Sequence, residues 1–256
     1  MQTTTLIIPC YNEVDGIPML CRRLAPVIDR LRQEGHVDVL FVDDGSFDGT
    51  AGAIGREAVG LPYQIISHET NRGIGAALKS AFARTAAQEI VTIDSDCTYD
   101  PAAVHTLLAL LREGNDIVTA SPYHPLGAVV DVPRWRLLLS KSLSLLYGLV
   151  LPRRLATYTS CFRAYRGDVI GKLSAPSDGF LAVTELLVSG ILAGAAVAEL
   201  PAVLTRRRFG RSKLRTLRVI LGHLKLICTV IIWRAVSRPR PAGARLAGIS
   251  RAVPHT

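Results

Sequence analysis

Two pairs of carboxylates stand at the ends of apolar runs. In Ile90-Val91-Thr92-Ile93-Asp94-Ser95-Asp96 the acids lie two residues apart, which in extended chain turns both side chains to the same side. Like charges so placed repel unless a cation sits between them. Hard oxygen ligands on a part-open site suit Mg²⁺ or Mn²⁺ bound together with substrate phosphates, which makes Asp94 and Asp96 the candidate metal ligands. An isolated pair of this kind also serves as a turn and a cap, Asp96 closing the turn and Asp94 taking a neighbouring amide. The second pair ends Val39-Leu40-Phe41-Val42-Asp43-Asp44-Gly45-Ser46-Phe47-Asp48-Gly49-Thr50. Gly45 and Gly49 permit a tight turn there, and Asp48 or Ser46 can cap the following helix. Capping leaves Asp43 and Asp44 unexplained, and an acid at such a strand tip can accept hydrogen bonds from a base or ribose.

A third constellation is basic. In Arg206-Arg207-Arg208-Phe209-Gly210-Arg211-Ser212-Lys213 the cations are of the types that bind phosphate, and a merely solvated loop has no need of Phe209-Gly210 in its middle. Asn71-Arg72-Gly73-Ile74-Gly75-Ala76-Ala77 superficially resembles a glycine-rich dinucleotide loop, but Leu78 takes the place of its third glycine, which argues against a dehydrogenase.

The elements that must position these residues follow a βαβ rhythm over the first ~120 residues, the mark of an α/β domain with a mainly parallel sheet. The predicted strands are Thr4–Pro9, Val37–Asp43, Tyr63–Ser67, Glu89–Asp94 and Asp116–Ser121. Between them fall helices at Val14–Arg32, Thr50–Ala58, Ile74–Ala87 and Pro101–Arg112, the last opened by Asp100 as N-cap and a first-turn proline. After the loop Ser121-Pro122-Tyr123-His124-Pro125 the rhythm changes. An apolar helix is expected at Arg134–Leu151, a strand at Tyr158–Tyr165, a helix at Leu181–Ala193 and a strand at Val197–Thr205. In Leu214–Trp233 the positions Arg215, Arg218, Gly222, Lys225 and Thr229 share one helical face, with Leu217, Leu221, Leu224, Ile227, Val230 and Ile231 around the other. Its longest uncharged run is too short to cross a bilayer, so the helix is read as lying in a membrane surface, with packing on the domain or on a dimer partner as the alternative. The organisation is thus one domain over 1–213, an amphipathic helix over 214–236 and a basic, disordered tail over 237–256.

Charge sharpens this division. The net charge is +9, yet no Asp or Glu follows Glu199, where thirteen Lys and Arg are found; the first 199 residues carry seventeen basic against twenty-one acidic side chains. Such a tail suits an anionic lipid surface, since no nucleic-acid recognition motif accompanies it. Five scattered Cys with no C-x-x-C pair indicate neither a disulfide framework nor a thiolate zinc site. Met1–Pro9 does not read as a signal peptide, and a reducing, cytosolic setting is expected.

Ile7-Ile8-Pro9-Cys10-Tyr11-Asn12-Glu13, Val42 to Thr50, Asn71-Arg72-Gly73 and Asp94-Ser95-Asp96 stand in the order seen in family 2 glycosyltransferases of the GT-A fold. From about Thr4 to Lys213 the chain resembles their polyprenyl-phosphate branch, typified by dolichyl-phosphate mannose synthase. The resemblance implies that Pro9, Tyr11 and Glu13 line the nucleotide pocket, with Asp43 or Asp44 on the base. It implies that Asp94 and Asp96, flanking Ser95, hold Mg²⁺ or Mn²⁺ on the donor diphosphate. Arg136 and Ser140 match an Arg-x-x-x-Ser pair that faces the acceptor phosphate. Thr159-Ser160-Cys161-Phe162-Arg163 is similar to the family's T-S-G-F-R, and Arg207 to Lys213 to a loop whose basic ends reach phosphates. Two departures concern sugar and acceptor rather than fold: Thr98 replaces a glutamine beside the metal, and Pro122 an arginine.

The expected activity is inverting transfer from a nucleotide diphosphate sugar, GDP-mannose or a UDP-hexose, to a polyprenyl phosphate, by a protein peripheral to the cytoplasmic face of the membrane. An acceptor phosphate is already ionised, so orientation by Arg136 and Lys213 matters more than a base. For a hydroxyl acceptor on a glycan or glycolipid, Glu185 and Asp178 are the candidate bases. A catalytically decayed nucleotide-sugar-binding module is the reading outside enzymology. The sequence leaves a homo-oligomer open.

Overall fold

The computed structural model describes residues 2–207 and 216–237, without the side chains of 134, 136, 216–218 and 235–237. Strands β1 (Gln2–Cys10), β2 (Gly35–Asp43), β3 (Tyr63–Ser67), β4 (Glu89–Thr92), β5 (Ile117–Ser121), β7 (Arg163–Arg166) and β8 (Val197–Pro201) form one sheet in the order β3-β2-β1-β4-β7-β5-β8. Its first four strands are parallel, β7 runs antiparallel between β4 and β5, and β8 pairs parallel with β5. The α/β expectation and the first five strands therefore hold.

Alternation along β1 explains why helices cover both faces. Leu6 and Ile8 join Phe41, Val91 and Val118 in a core closed by α1 (Ile17–Glu34), α2 (Thr50–Glu57) and α4 (Val104–Arg112). Ile7, with Leu40, Val42 and Ile90, faces α3 (Ile74–Phe82) and α7 (Leu181–Leu192). A third core lies at one side of the sheet. There Tyr147 of α5 (Arg134–Val150), Leu187 of α7, and Ile227 and Val230 of α8 (Thr216–Ser237) close over Tyr158 and Tyr165. Asp100 caps the turn that leads into α4, accepting from Ala102 N at 3.1 Å.

Three expectations need correction. The strand foreseen at Tyr158–Tyr165 begins only at Arg163, because the carbonyls of Tyr158 and Ser160 are drawn to the Arg163 guanidinium instead of a neighbouring strand. The strand foreseen at Val197–Thr205 breaks after Pro201. Beyond it β9 (Val203–Leu204) pairs with β6 (Ala128–Val129) in a separate two-stranded sheet, and a short α6 (Gly167–Ile170) follows β7. The helix near the C-terminus is present, but His223, Ile227 and Val230 are buried against the domain while Leu221, Leu224, Ile231 and Ile232 are exposed. Gly222, placed by sequence on the polar face, lies against Leu181, whose Cδ2 would be 3.1 Å from an added Cβ.

Candidate active site

The carboxyl ends of β1, β2 and β4 meet at one edge of the sheet, where α/β folds gather ligands. The loops that leave β1 and β4 each turn through a left-handed non-glycine residue, Asn12 (φ 51°) and Cys97 (φ 52°), a strained geometry that clusters at functional sites. Side chains then lace the loops together. Asn12 N donates to Ser46 Oγ (2.9 Å), Glu13 N to Thr50 Oγ1 (2.8 Å) and Val14 N to Asp48 Oδ2 (3.2 Å). Pro9 and Ser95 are buried at the base of this edge.

Asp94, Asp96 and Glu13 converge there. Burial first, and then the charge of Asp96, pushes the Asp94 carboxyl up to about 7, while Arg207 and Arg163 oppose the shift. Arg207 spans the cluster, its Nε on Asp96 Oδ2 at 2.8 Å and its Nη2 on Glu13 Oε1 at 2.9 Å. The segment before Arg207 is tied down as well, since Thr205 N and Oγ1 both donate to Thr98 O. Burial opposes the charge of Arg207, yet Asp96 and Glu13 hold it above its ordinary range. A buried pair of hard carboxylates under mutual repulsion fits a divalent cation. Among the described residues no group of three His, Cys, Asp or Glu is placed to hold a metal by itself, so an ion held by Asp94 and Asp96 would be completed by oxygens from outside the protein.

The second carboxylate pair divides its labour. Asp44 is buried with both oxygens engaged: Oδ1 accepts from His68 Nδ1 (2.6 Å) and Arg72 N (3.0 Å), Oδ2 from Asn71 Nδ2 (2.8 Å) and Gly73 N (2.7 Å). It therefore shapes the Asn71-Arg72-Gly73 loop, whereas Asp43 is less fully engaged. Asp43 Oδ1 takes Ser46 N at 3.1 Å. Gly73 must be glycine, for at φ 101° an added Cβ would lie 2.5 Å from Asp178 O.

The acceptor candidates gather on the β5 and α5 side. Ser140 Oγ lies 3.3 Å from Thr159 Oγ1, near the Tyr123 hydroxyl. Beside it a groove of about 340 Å³ is lined by Tyr123, Lys141, Ser144, Leu145, Leu149 and Arg154. Arg136 is on α5, but its side chain, like the whole of Lys213, lies outside the described residues. A larger cavity of about 480 Å³ at the opposite end of the strands holds only mutually paired charges, Arg112 with Glu89 and Arg166 with Asp168.

The two candidate bases each have a partner of their own. Glu185 is buried and turned to Ser177, with Oε1 on its hydroxyl (2.7 Å) and Oε2 on its N–H (2.9 Å). Asp178 is exposed, and the hydrogen bond from Lys79 holds its carboxyl below the usual range.

Sequence reasoning gave no role to Arg163 or Tyr99. Arg163 is fully buried, and its guanidinium reaches Val183 O (2.8 Å), Ser160 O (2.8 Å), Tyr158 O (3.4 Å) and Tyr165 Oη (3.2 Å), with no carboxylate in contact among the described residues. Tyr99 is buried with its ring 5.6 Å from Phe162, and burial first, with Asp94 and Tyr123 nearby, pushes its hydroxyl up. Arg163 closes the Thr159-to-Arg163 motif already singled out, and Tyr99 follows Thr98 just beyond Asp94-Ser95-Asp96.

Residues 5–174 match the model of Glycosyl transferase family 2. The chain is similar to the polyprenol monophosphomannose synthase of Mycolicibacterium smegmatis, 32% identical over 83% of this chain and 81% of that protein. It is 29% identical to the undecaprenyl-phosphate mannosyltransferase of Micrococcus luteus, over 81% of this chain and 86% of that one. Its fold matches that of glucosyl-3-phosphoglycerate synthase from Mycobacterium tuberculosis, crystallised with Mn²⁺, UDP-glucose and phosphoglyceric acid. That match has a TM-score of 0.66 at 22% identity, over 89% of this chain and 80% of the other.

Proposed function

The chain belongs to glycosyl transferase family 2, and from that premise we propose that it moves a sugar from a nucleotide diphosphate sugar onto a membrane-held polyprenyl phosphate. GDP-mannose and UDP-hexoses are the donors proposed, with inversion at the anomeric carbon. The carrying observation is the presence of two unlike sites in one domain: a carboxylate cluster spanned by Arg207 and a groove that is apolar along Leu145 and Leu149 and basic at Lys141 and Arg154.

Asp94 and Asp96 would hold a Mg²⁺ or Mn²⁺, which neutralises the departing diphosphate. Asp43 and Tyr11 orient the nucleoside, and Arg207 supplies a fixed cation where negative charge grows. Ser140 and Arg136 hold the acceptor phosphate. One of its oxygens attacks the anomeric carbon as the bond to the diphosphate breaks, the bonding pair leaving with the nucleoside diphosphate. No proton has to move, and the engagement of Glu185 and Asp178 in structural contacts favours this acceptor over a hydroxyl.

The same reading sets the protein on a lipid surface. No helix among the described residues is long and apolar enough to cross a membrane. On α5 Trp135, Leu138, Leu145 and Leu149 are exposed, and on α8 Leu221, Leu224, Ile231 and Ile232. These two packed helices come from the two longest acid-free stretches of the chain, between Asp131 and Asp168 and after Glu199. Bare apolar side chains among unopposed Lys and Arg complement an anionic bilayer. We place it on the cytoplasmic face, where its five unpaired thiols stay reduced.

The test is a panel of GDP- and UDP-sugars with Mg²⁺ or Mn²⁺ and a short polyprenyl phosphate, the glycolipid being identified by mass spectrometry. Product from free sugar or glycolipid hydroxyls alone would replace this reading with the hydroxyl-acceptor one. Tight donor binding without turnover would leave only a binding module.

A further inference from the structure

Phe47 is 83% exposed, more than any other large apolar side chain among the described residues. Exposure of an aromatic ring at a loose tip would need no explanation, but this tip is fixed. Phe47 N donates to Asn12 Oδ1 at 3.0 Å, the preceding Ser46 N to Asp43 Oδ1 at 3.1 Å, and Asn12 N returns to Ser46 Oγ at 2.9 Å. The turn is anchored below by Gly45 (φ 70°), where an added Cβ would lie 2.4 Å from the Thr70 carbonyl carbon. The chain thus uses a web of hydrogen bonds to hold a bare ring in water. It holds it beside the two residues read as the nucleoside contacts: the ring meets Tyr11 edge-on, centroids 6.4 Å apart and planes at 80°, and Asp43 closes the same turn.

We propose that Phe47 is a stacking wall for the nucleobase of the donor, so that the base lies against its ring while Asp43 accepts from the base edge. The proposal rests on the nucleotide-sugar reading and adds to it a residue that sets donor affinity. Every nucleobase offers a flat π face, so stacking supports purine and pyrimidine alike, and the edge contacts choose between them.

Equilibrium binding to the full chain in the presence of Mn²⁺, by calorimetry, tests it with three probes: GDP, UDP and inorganic pyrophosphate, which has the phosphates but no base. Phe47→Ala should weaken the nucleoside diphosphate that the wild type binds about 10-fold or more, the range that base stacking supplies. Pyrophosphate should bind both proteins alike, and Phe47→Trp should retain or tighten nucleotide binding. Equal nucleotide affinity in wild type and Phe47→Ala overturns the proposal. So does a parallel loss for pyrophosphate, which would mark a displaced loop instead of a lost stack. A wild type that binds pyrophosphate but no nucleoside diphosphate overturns the donor reading along with it.

Discussion

The two ends of the proposed site obey opposite rules. At the strand tips nearly every buried polar group has a partner inside the protein: Asp44 takes four hydrogen bonds, and Asp48 and Thr50 tie the loops after β1 and β2 together. On α5 and α8, in contrast, ten large apolar side chains are exposed. A small charged ligand demands preorganised donors and acceptors, whereas a lipid surface demands only apolar area and cations, in no fixed arrangement. The contrast teaches why one end is rigid and motif-bound and the other loosely specified.

The largest break in this comparison is expected at Asp96. Asp96→Ala removes one of the two carboxylates from the cluster and one hold on Arg207, and turnover should fall by about 10³-fold. Its thermal melt should stay near wild type, because removing this carboxylate relieves repulsion on Asp94 and so offsets the lost hold on Arg207. Wild-type turnover in the variant, or full activity in chelator, would refute the metal assignment.

Asp44 should behave in the reverse way. Asp44→Asn sets an amide NH₂ against buried donors and costs about 3 kcal/mol of stability, read by denaturant unfolding. Donor binding should then fall through loss of the Asn71-Arg72-Gly73 loop. An unaltered unfolding midpoint would return Asp44 to the nucleoside.

Legibility followed the same divide. The alternation of β1 and the acids ending β2 and β4 were readable because strand period and turn chemistry are local. Asp43 and Asp44, adjacent and alike in sequence, were separable only once His68 and Gly73 closed on one of them. Arg163 and the late start of β7 were hidden because a guanidinium that gathers carbonyls from residues 158, 160 and 183 is a tertiary fact. The same holds for Phe47, which the helix-cap reading of its loop passed over. On α8 the period was right, and Ile227 and Val230 of the expected apolar face are buried, but Gly222 and His223 also face the domain by virtue of Leu181 and Tyr147, which no helical wheel displays.

Under the proposed lipid face lies a polar joint. His223 Nδ1 and the Tyr147 hydroxyl are 2.9 Å apart and link α8 to α5, and burial pushes the imidazole down to about 4. The folded protein thus binds the proton less readily than the unfolded chain, whose His titrates near 6.5. Its contribution is present above about pH 6.5 and is lost as pH falls towards 4, with about 2 kcal/mol gone between pH 7 and 5. His223→Gln should flatten that part of the stability profile. An equal acid slope in the variant would assign it to other groups.

The smallest effects are expected where the surface is least specified. Leu145→Ser and Leu149→Ser each remove exposed apolar area from α5, and Ile232→Ser does so from α8. A side chain already in water contributes little to folding, so each variant should keep wild-type stability within about 0.5 kcal/mol. Transfer of such a side chain into the bilayer interface is favourable by about 1 kcal/mol, so each change should weaken partition onto vesicles containing anionic lipid by about fivefold. Because the α5 and α8 contributions are independent in this picture, a Leu149→Ser, Ile232→Ser pair should lose roughly the product of the two, and added salt should weaken all of the proteins further by screening the cations. Donor binding in solution should be untouched, since none of these side chains reaches the strand tips. Loss of partition from the α8 changes alone would confine the lipid contact to one helix, and stability losses well above 0.5 kcal/mol would mean that the face is covered by protein instead of lipid.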